Sequence, residues 1–165
     1  ATGATGAQGL QGSQGASGSG APTVVTLSSD LTSTVTTYAN ITGLSFAGTA
    51  GVTYRVQALI LFRSSVTTTG LKLGLTTGAN TRLSLLAEVP IAADSAAGML
   101  QGWLTSSGDG VTGTGVQAIN TDYCARIDGL WTPSANSILQ LQFAAEIAST
   151  TITARAGSRL IVSVI

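Results

Sequence analysis

Histidine is absent from this chain of 165 residues, and cysteine occurs once, at Cys124. The usual general base of a Ser/His/Asp or Cys/His arrangement is therefore missing, as is the commonest transition-metal ligand. One thiol makes neither an intrachain disulfide nor a CxxC metal site. In DYCARIDGLW (122–131) Cys124 reads as a small buried apolar residue, with three copies meeting on a symmetry axis as the alternative. Of the seven carboxylates, Glu88, Asp94, Asp109, Asp122, Asp128 and Glu146 are scattered, with Asp122 and Asp128 six apart, as are Glu88 and Asp94. Glycoside hydrolysis needs two carboxylates flanking one bond. Folding can bring any two of these together, but a domain of this length hardly supplies the long cleft such enzymes use. Calcium at Asp109 and Asp122 lacks EF-hand spacing. The glycine-rich SSGDGVTGTGV (106–116) invites comparison with a phosphate loop, yet no GK[ST] follows it. The expectation is a protein without catalytic residues, metal site or cofactor.

Residues that bind are better represented than residues that react. Arg126 and Asp128 lie two apart and so share one face of a strand. They read either as an ion pair across a subunit interface or as two solvated side chains. Trp103 and Trp131, each near a loop, are expected as core anchors, with contact to a partner as the alternative. Loops carry recognition on rigid β scaffolds. The richest are 76–82 and 105–116, with Asn80, Arg82 and Asp109 as candidate contact residues.

Glycine occupies positions 3, 6, 9, 12, 15 and 18, and the next one, Gly20, breaks the count. A triple helix winds three polyproline-II-like strands with every third residue at an axis that admits only hydrogen. Gly3, Gly6, Gly9, Gly12, Gly15 and Gly18 therefore predict a collagen-like stem over residues 1–20 and three parallel chains. The stem has no proline to pre-set its backbone. Extended over roughly 55 Å at about 3.1 Å per residue, it is expected to be too weak to nucleate alone. The assembly must then be held by residues 21–165, read as one domain.

Charged residues make up 8% of the chain and apolar ones 44%, against roughly 25% charged in an ordinary soluble domain. So sparse a charged coat suggests surface covered by neighbours. Seven basic residues balance seven acidic ones, giving no field to draw nucleic acid or an anionic membrane. The longest apolar run, Ala58 to Phe62, is too short to span a bilayer. No basic segment with an apolar core and cleavage site opens the chain, so no secretory signal is expected in it. The collagen-like start can itself follow a longer upstream region.

The domain reads as β throughout. VTYRVQALILF (52–62) alternates apolar and polar residues until Leu59 and Leu61 make its second face apolar too, which predicts a central strand covered on both sides. Period-two patterns recur at 71–76, 139–147 and 160–164. Shorter candidates are 23–27, 33–38, 41–46, 82–88, 98–105, 115–120, 123–131 and 150–155. Turn signals such as Ala50-Gly51 and Ser107-Gly108-Asp109-Gly110 punctuate them, and only 92–97 hints at a helical turn. The pattern predicts an all-β antiparallel sandwich, most simply jelly-roll-like.

A collagen-like stem leading into a compact β domain resembles the architecture of the C1q and tumour-necrosis-factor superfamily. FAGTAGVTYRVQALILF (46–62) is similar to the segment where a Gly-x-Tyr precedes a long buried strand, although here Gly51 stands three residues before Tyr54. The Ala-, Thr-, Gly- and Ser-rich composition resembles collagen-like fibre and tail proteins of bacteriophages. AGSRLIVSVI (156–165) is similar to the closing strand of many phage virion proteins. The resemblance implies a homotrimer of jelly-roll heads on a virion surface, with tail or capsid proteins and a host surface glycan or protein as partners. A trimeric decoration of the capsid and a bacterial collagen-like adhesin are the alternatives. In a phage product the sequon Asn40-Ile41-Thr42 is expected to be silent.

Overall fold

The computed structural model describes residues 20–91 and 98–165. The six glycine triplets and the turn expected at 92–97 lie outside the described residues. Among these residues all regular structure is β: β1 (Thr23–Thr26), β2 (Leu31–Ser33), β3 (Ala39–Gly48), β4 (Tyr54–Ser64), β5 (Leu71–Thr76), β6 (Asn80–Ile91), β7 (Gly98–Leu104), β8 (Gly110–Thr112), β9 (Tyr123–Pro133), β10 (Ser137–Ala145), β11 (Ile152–Ala154) and β12 (Arg159–Val164).

The strands form two antiparallel sheets. An eight-stranded sheet runs β1-β12-β4-β9-β6-β7, with β11 joining β4 to β2, and a four-stranded sheet runs β3-β10-β5-β8. Six of the pairings nest: β1 with β12, β2 with β11, β3 with β10, β4 with β9, β5 with β8 and β6 with β7. The chain is thus a long hairpin of pairs wrapped into a β-sandwich, an order compatible with a jelly roll. β6 and β7 extend one edge of the larger sheet.

Alternation puts Tyr54, Val56, Ala58, Ile60 and Phe62 of β4 inside, facing Leu71, Leu73 and Leu75 of β5 and Leu139, Leu141 and Phe143 of β10 in one continuous core. Each such side chain contributes about 1.5–3 kcal/mol by leaving water. At one end of the core Trp131 sits with Phe46 and Tyr54, the Phe46–Tyr54 rings edge-on at 5.1 Å.

Two irregularities shape the sheets. The β3–β10 register jumps between Gln140 and Gln142, and β3 bulges over residues 41–44, sending both Ile41 and Leu44 into the core. Gly43 makes the bulge at φ 99, a conformation other residues resist. The Gln140 amide satisfies the displaced carbonyls of Ile41 at 3.1 Å and Leu44 at 3.2 Å. In the middle of β9, a Cβ on Gly129 would lie 2.1 Å from the Ser84 carbonyl oxygen. Only glycine lets β6 approach β9 there.

The strand expected at 33–38 is instead β2 at Leu31–Ser33 followed by a crossing segment. That segment spends its carbonyls outside any ladder: Val35 accepts from the Ala145 amide and Thr34 from the Ser149 amide. Residues 115–120 are also loop, with Val116 tucked inward and bonded to the Thr67 carbonyl. The third strand in that region is β8, inside the segment read as an open loop.

Candidate functional site

The same alternation that builds the core leaves two outward faces, and they differ in chemistry. On the four-stranded sheet, register sets Asn40, Ser45, Lys72, Thr76, Thr112, Gln140 and Gln142 outward. This face is polar, with one charge, and its large exposed apolar residue is Ile138. Tyr38 lies over Gly74 and Gly110, where a Cβ on Gly110 would collide with its hydroxyl at 1.9 Å and one on Gly74 would press its ring at 3.1 Å. The Lys72 ammonium stands 4.9 Å from the same ring and donates to the Thr36 carbonyl.

The outer face of the eight-stranded sheet is apolar and charged at once. One transverse row reads Val24, Ile161, Gln57, Asp128, Leu86, Trp103, and the next reads Thr26, Arg159, Leu59, Arg126, Glu88, Gln101. Leu61 and Cys124 face each other on a third row, and Leu130 stands opposite Arg55 on a fourth. Between the rows lies an open depression of about 440 Å³, lined by Gln57, Leu59, Leu86, Glu88, Arg126, Asp128, Arg159 and Ile161. Of Leu59 and Leu61, expected to be covered on both sides, Leu59 is 37% exposed and Leu61 half-buried among the described residues.

Most of the protein's few charges gather on this face or its margin. Arg55 donates from Nε at 3.2 Å and from a terminal nitrogen at 3.0 Å to the two oxygens of Asp128. This hydrogen bonding, with the carboxylate's charge, raises the Arg55 pKa. Arg63 grips Asp122 through both oxygens, and Arg155 pairs with Asp30. The Arg63 hydrogen bond holds the Asp122 carboxyl below its ordinary value. Arg126 and Asp128, read as an ion pair across an interface or as two solvated side chains, make no ion pair with each other within the chain, and both are exposed. Cross-strand register places Asp128 opposite Gln57, with Arg55 on the diagonal, and that closer cation claims it. Neither Arg126 nor Arg159 has a carboxylate of the described residues within 4.0 Å.

The loops singled out in the sequence do meet. The Ser107 hydroxyl accepts the Thr77 amide at 2.9 Å, and the amides of Gly108 and Leu75 tie residues 105–110 to the end of β5. Two of the three candidate contact residues there are committed to the fold. Asn80 accepts the indole N–H of Trp131 at 2.6 Å and the Thr77 hydroxyl at 3.2 Å. Asp109 accepts the amides of Thr105 and Ser106, each at 2.8 Å, which holds its carboxyl below the ordinary value. Arg82 alone is an exposed charge in this cluster.

The two tryptophans part company. Trp131 is fully buried, as expected of a core anchor, whereas Trp103 is 64% exposed on the outer face of edge strand β7. Cys124 is half-buried on the outer face beside Leu61, not in the sandwich core, because Ala125 takes the inward position. Every described carboxylate has a structural partner: besides those above, Glu88 accepts the Gln101 amide and Glu146 the Gly70 amide. Among the described residues no three of His, Cys, Asp and Glu cluster as metal ligands.

No protein-family model matches the chain, and no curated protein matches it. Among solved structures it is similar to a chain in the structure of infectious bursal disease virus Gx strain, at 16% identity and a TM-score of 0.23. That likeness covers 88% of this chain and 39% of the viral one. At so low a score it carries no argument.

Proposed function

We propose that this chain forms a homotrimeric, non-enzymatic module on the surface of a phage virion, with a jelly-roll head that attaches to the host surface. The observation that carries this reading is the contrast between the two outer faces of the sandwich. A monomer gains nothing from a sheet face where Leu59 and Trp103 are exposed and Leu61, Leu86, Leu130 and Ile161 are only half-buried. Copies of the chain covering that face would bury those residues and leave the polar face of the smaller sheet outside. The period-three glycines of residues 1–18 choose the number of copies.

Binding rather than catalysis suits the carboxylates. A glycosidase acid needs a raised pKa, whereas Asp109 and Asp122 are both held low by their partners. Recognition then falls to the cluster of residues 76–82 and 105–116, with Arg82, at the start of β6, as its exposed charge. A three-fold copy of a weak site raises apparent affinity by roughly two to four orders of magnitude, which suits reversible capture of a cell.

The test is binding by the purified protein. Adsorption to host cells or their envelope glycans, without release of sugar fragments and weakened by Arg82→Ala, is the expected result. Binding to capsids and not to cells would establish a capsid decoration instead. Release of sugar fragments would overturn the non-enzymatic reading.

A further inference from the structure

We propose that Trp103 of one copy seats in the depression on the eight-stranded sheet of the next copy, and that Glu88 of the first pairs with Arg159 of the second. This rests on the trimer reading above and names the contact that closes the ring.

The face is polarised from edge to edge. Trp103 and Glu88 stand on the β6–β7 side, while Arg159 and Ile161 stand on the β12 side, with Leu59 and Arg126 between them. A head-to-tail contact around a symmetry axis sets one side of a copy against the other side of its neighbour. That brings the side carrying Glu88 and the exposed indole onto the side carrying Arg159 and Ile161, the β12 end of a hollow that reaches back across the sheet to Leu86 and Glu88.

The hollow fits the knob. Its volume of about 440 Å³ exceeds what an indole fills, and Leu59, Leu86 and Ile161 give it apolar walls. Arg126 and Arg159, both without a carboxylate partner among the described residues, lie at its rim, where guanidinium groups stack on an indole face. A buried indole N–H needs an acceptor, and the lining offers the Gln57 side-chain oxygen and the Asp128 carboxylate, which already accepts from Arg55. Trp103 does not fill its own chain's hollow: it stands in register with Leu86 yet remains 64% exposed.

The experiment is sedimentation over a dilution series, paired with acrylamide quenching of tryptophan emission, on the full chain. Trp131 is buried, so the quenchable emission reports Trp103, with Trp103→Phe as the blank. A trimer should shield Trp103, and dissociation on dilution should expose it. Trp103→Ala removes no core contact, so the subunit should keep its circular dichroism while the concentration at half-dissociation rises at least tenfold, as for an interface hot spot (about 2 kcal/mol or more). Glu88→Arg and Arg159→Glu should each weaken assembly, and the double reversal should restore it. A wild-type trimer with freely quenched Trp103 and an unchanged Trp103→Ala variant overturns this contact and leaves the trimer standing. Failure of the double reversal to restore assembly overturns the Glu88–Arg159 pair. A wild-type monomer overturns the trimer and the contact together.

Discussion

Asn80 links a turn to the core, and replacing it by alanine tests that link. Its side-chain oxygen accepts the Trp131 indole N–H at 2.6 Å and the Thr77 hydroxyl at 3.2 Å. Trp131 is fully buried, packed against Phe46 and Tyr54, so its N–H has no water to turn to. In Asn80→Ala that donor is left unpaired, at a cost of about 1–3 kcal/mol. With a urea dependence of about 2 kcal/mol per molar, a loss near the middle of that range lowers the unfolding midpoint by about 1 M. The assay is urea denaturation followed by circular dichroism at one fixed protein concentration, because association adds to apparent stability. In a Trp131→Phe background there is no N–H to strand, and Asn80→Ala should then cost only the Thr77 bond, about 0.5–1.5 kcal/mol. The difference between the two backgrounds isolates the indole bond. Equal costs in both, or no cost in either, would refute the structural role of Asn80.

Three further outcomes follow from the geometry. Gly129→Ala should be among the most damaging single changes, at about 3 kcal/mol or more, since the new Cβ meets the Ser84 carbonyl oxygen at 2.1 Å and Leu85 Cα at 2.8 Å; a wild-type denaturation midpoint would contradict this. Asp109 and Asp122 both titrate below 3.8 when folded, so their contribution is complete above that pH and is lost as the pH falls through the lower folded values. Being solvent-screened, each contributes at most about 1 kcal/mol; Asp109→Asn should flatten the acid limb of a stability–pH curve, and an unchanged limb would count against the loop contacts. Deleting residues 1–20 should leave a folded head that still associates, measured by light scattering, whereas a monomeric product would make the stem the nucleus of assembly.

What could be read from the chain was whatever repeats locally. The alternation in 54–62, 71–75 and 139–143 is a direct imprint of a pleated strand with one buried face, and those residues do line the core. The bulge at 41–44 has no such imprint, because Gly43 and the Gln140 amide that closes it are far apart in sequence. Threonine-rich 33–38 has the composition of a strand but not its partner: β11 offers pairing only to Leu31–Ser33. Partner choice was also the obstacle at Asp128. Its neighbour Arg126 was visible two residues away, while Arg55, which holds it, arrives by register from 73 positions upstream. Trp103 and Trp131 each sit near a loop, and only topology separates the edge strand β7 from the central β9. Leu59 and Leu61 were legible as a second apolar face, although Leu59 stays exposed and Leu61 half-buried among the described residues.

The central claim is that the outer face of the eight-stranded sheet is covered by two further copies of the chain. The mass of the purified protein in solution, measured by sedimentation equilibrium at micromolar concentration, tests it most directly. Three times the chain mass of 16.4 kDa is the expected result, and a single species at 16.4 kDa would rule the trimer out.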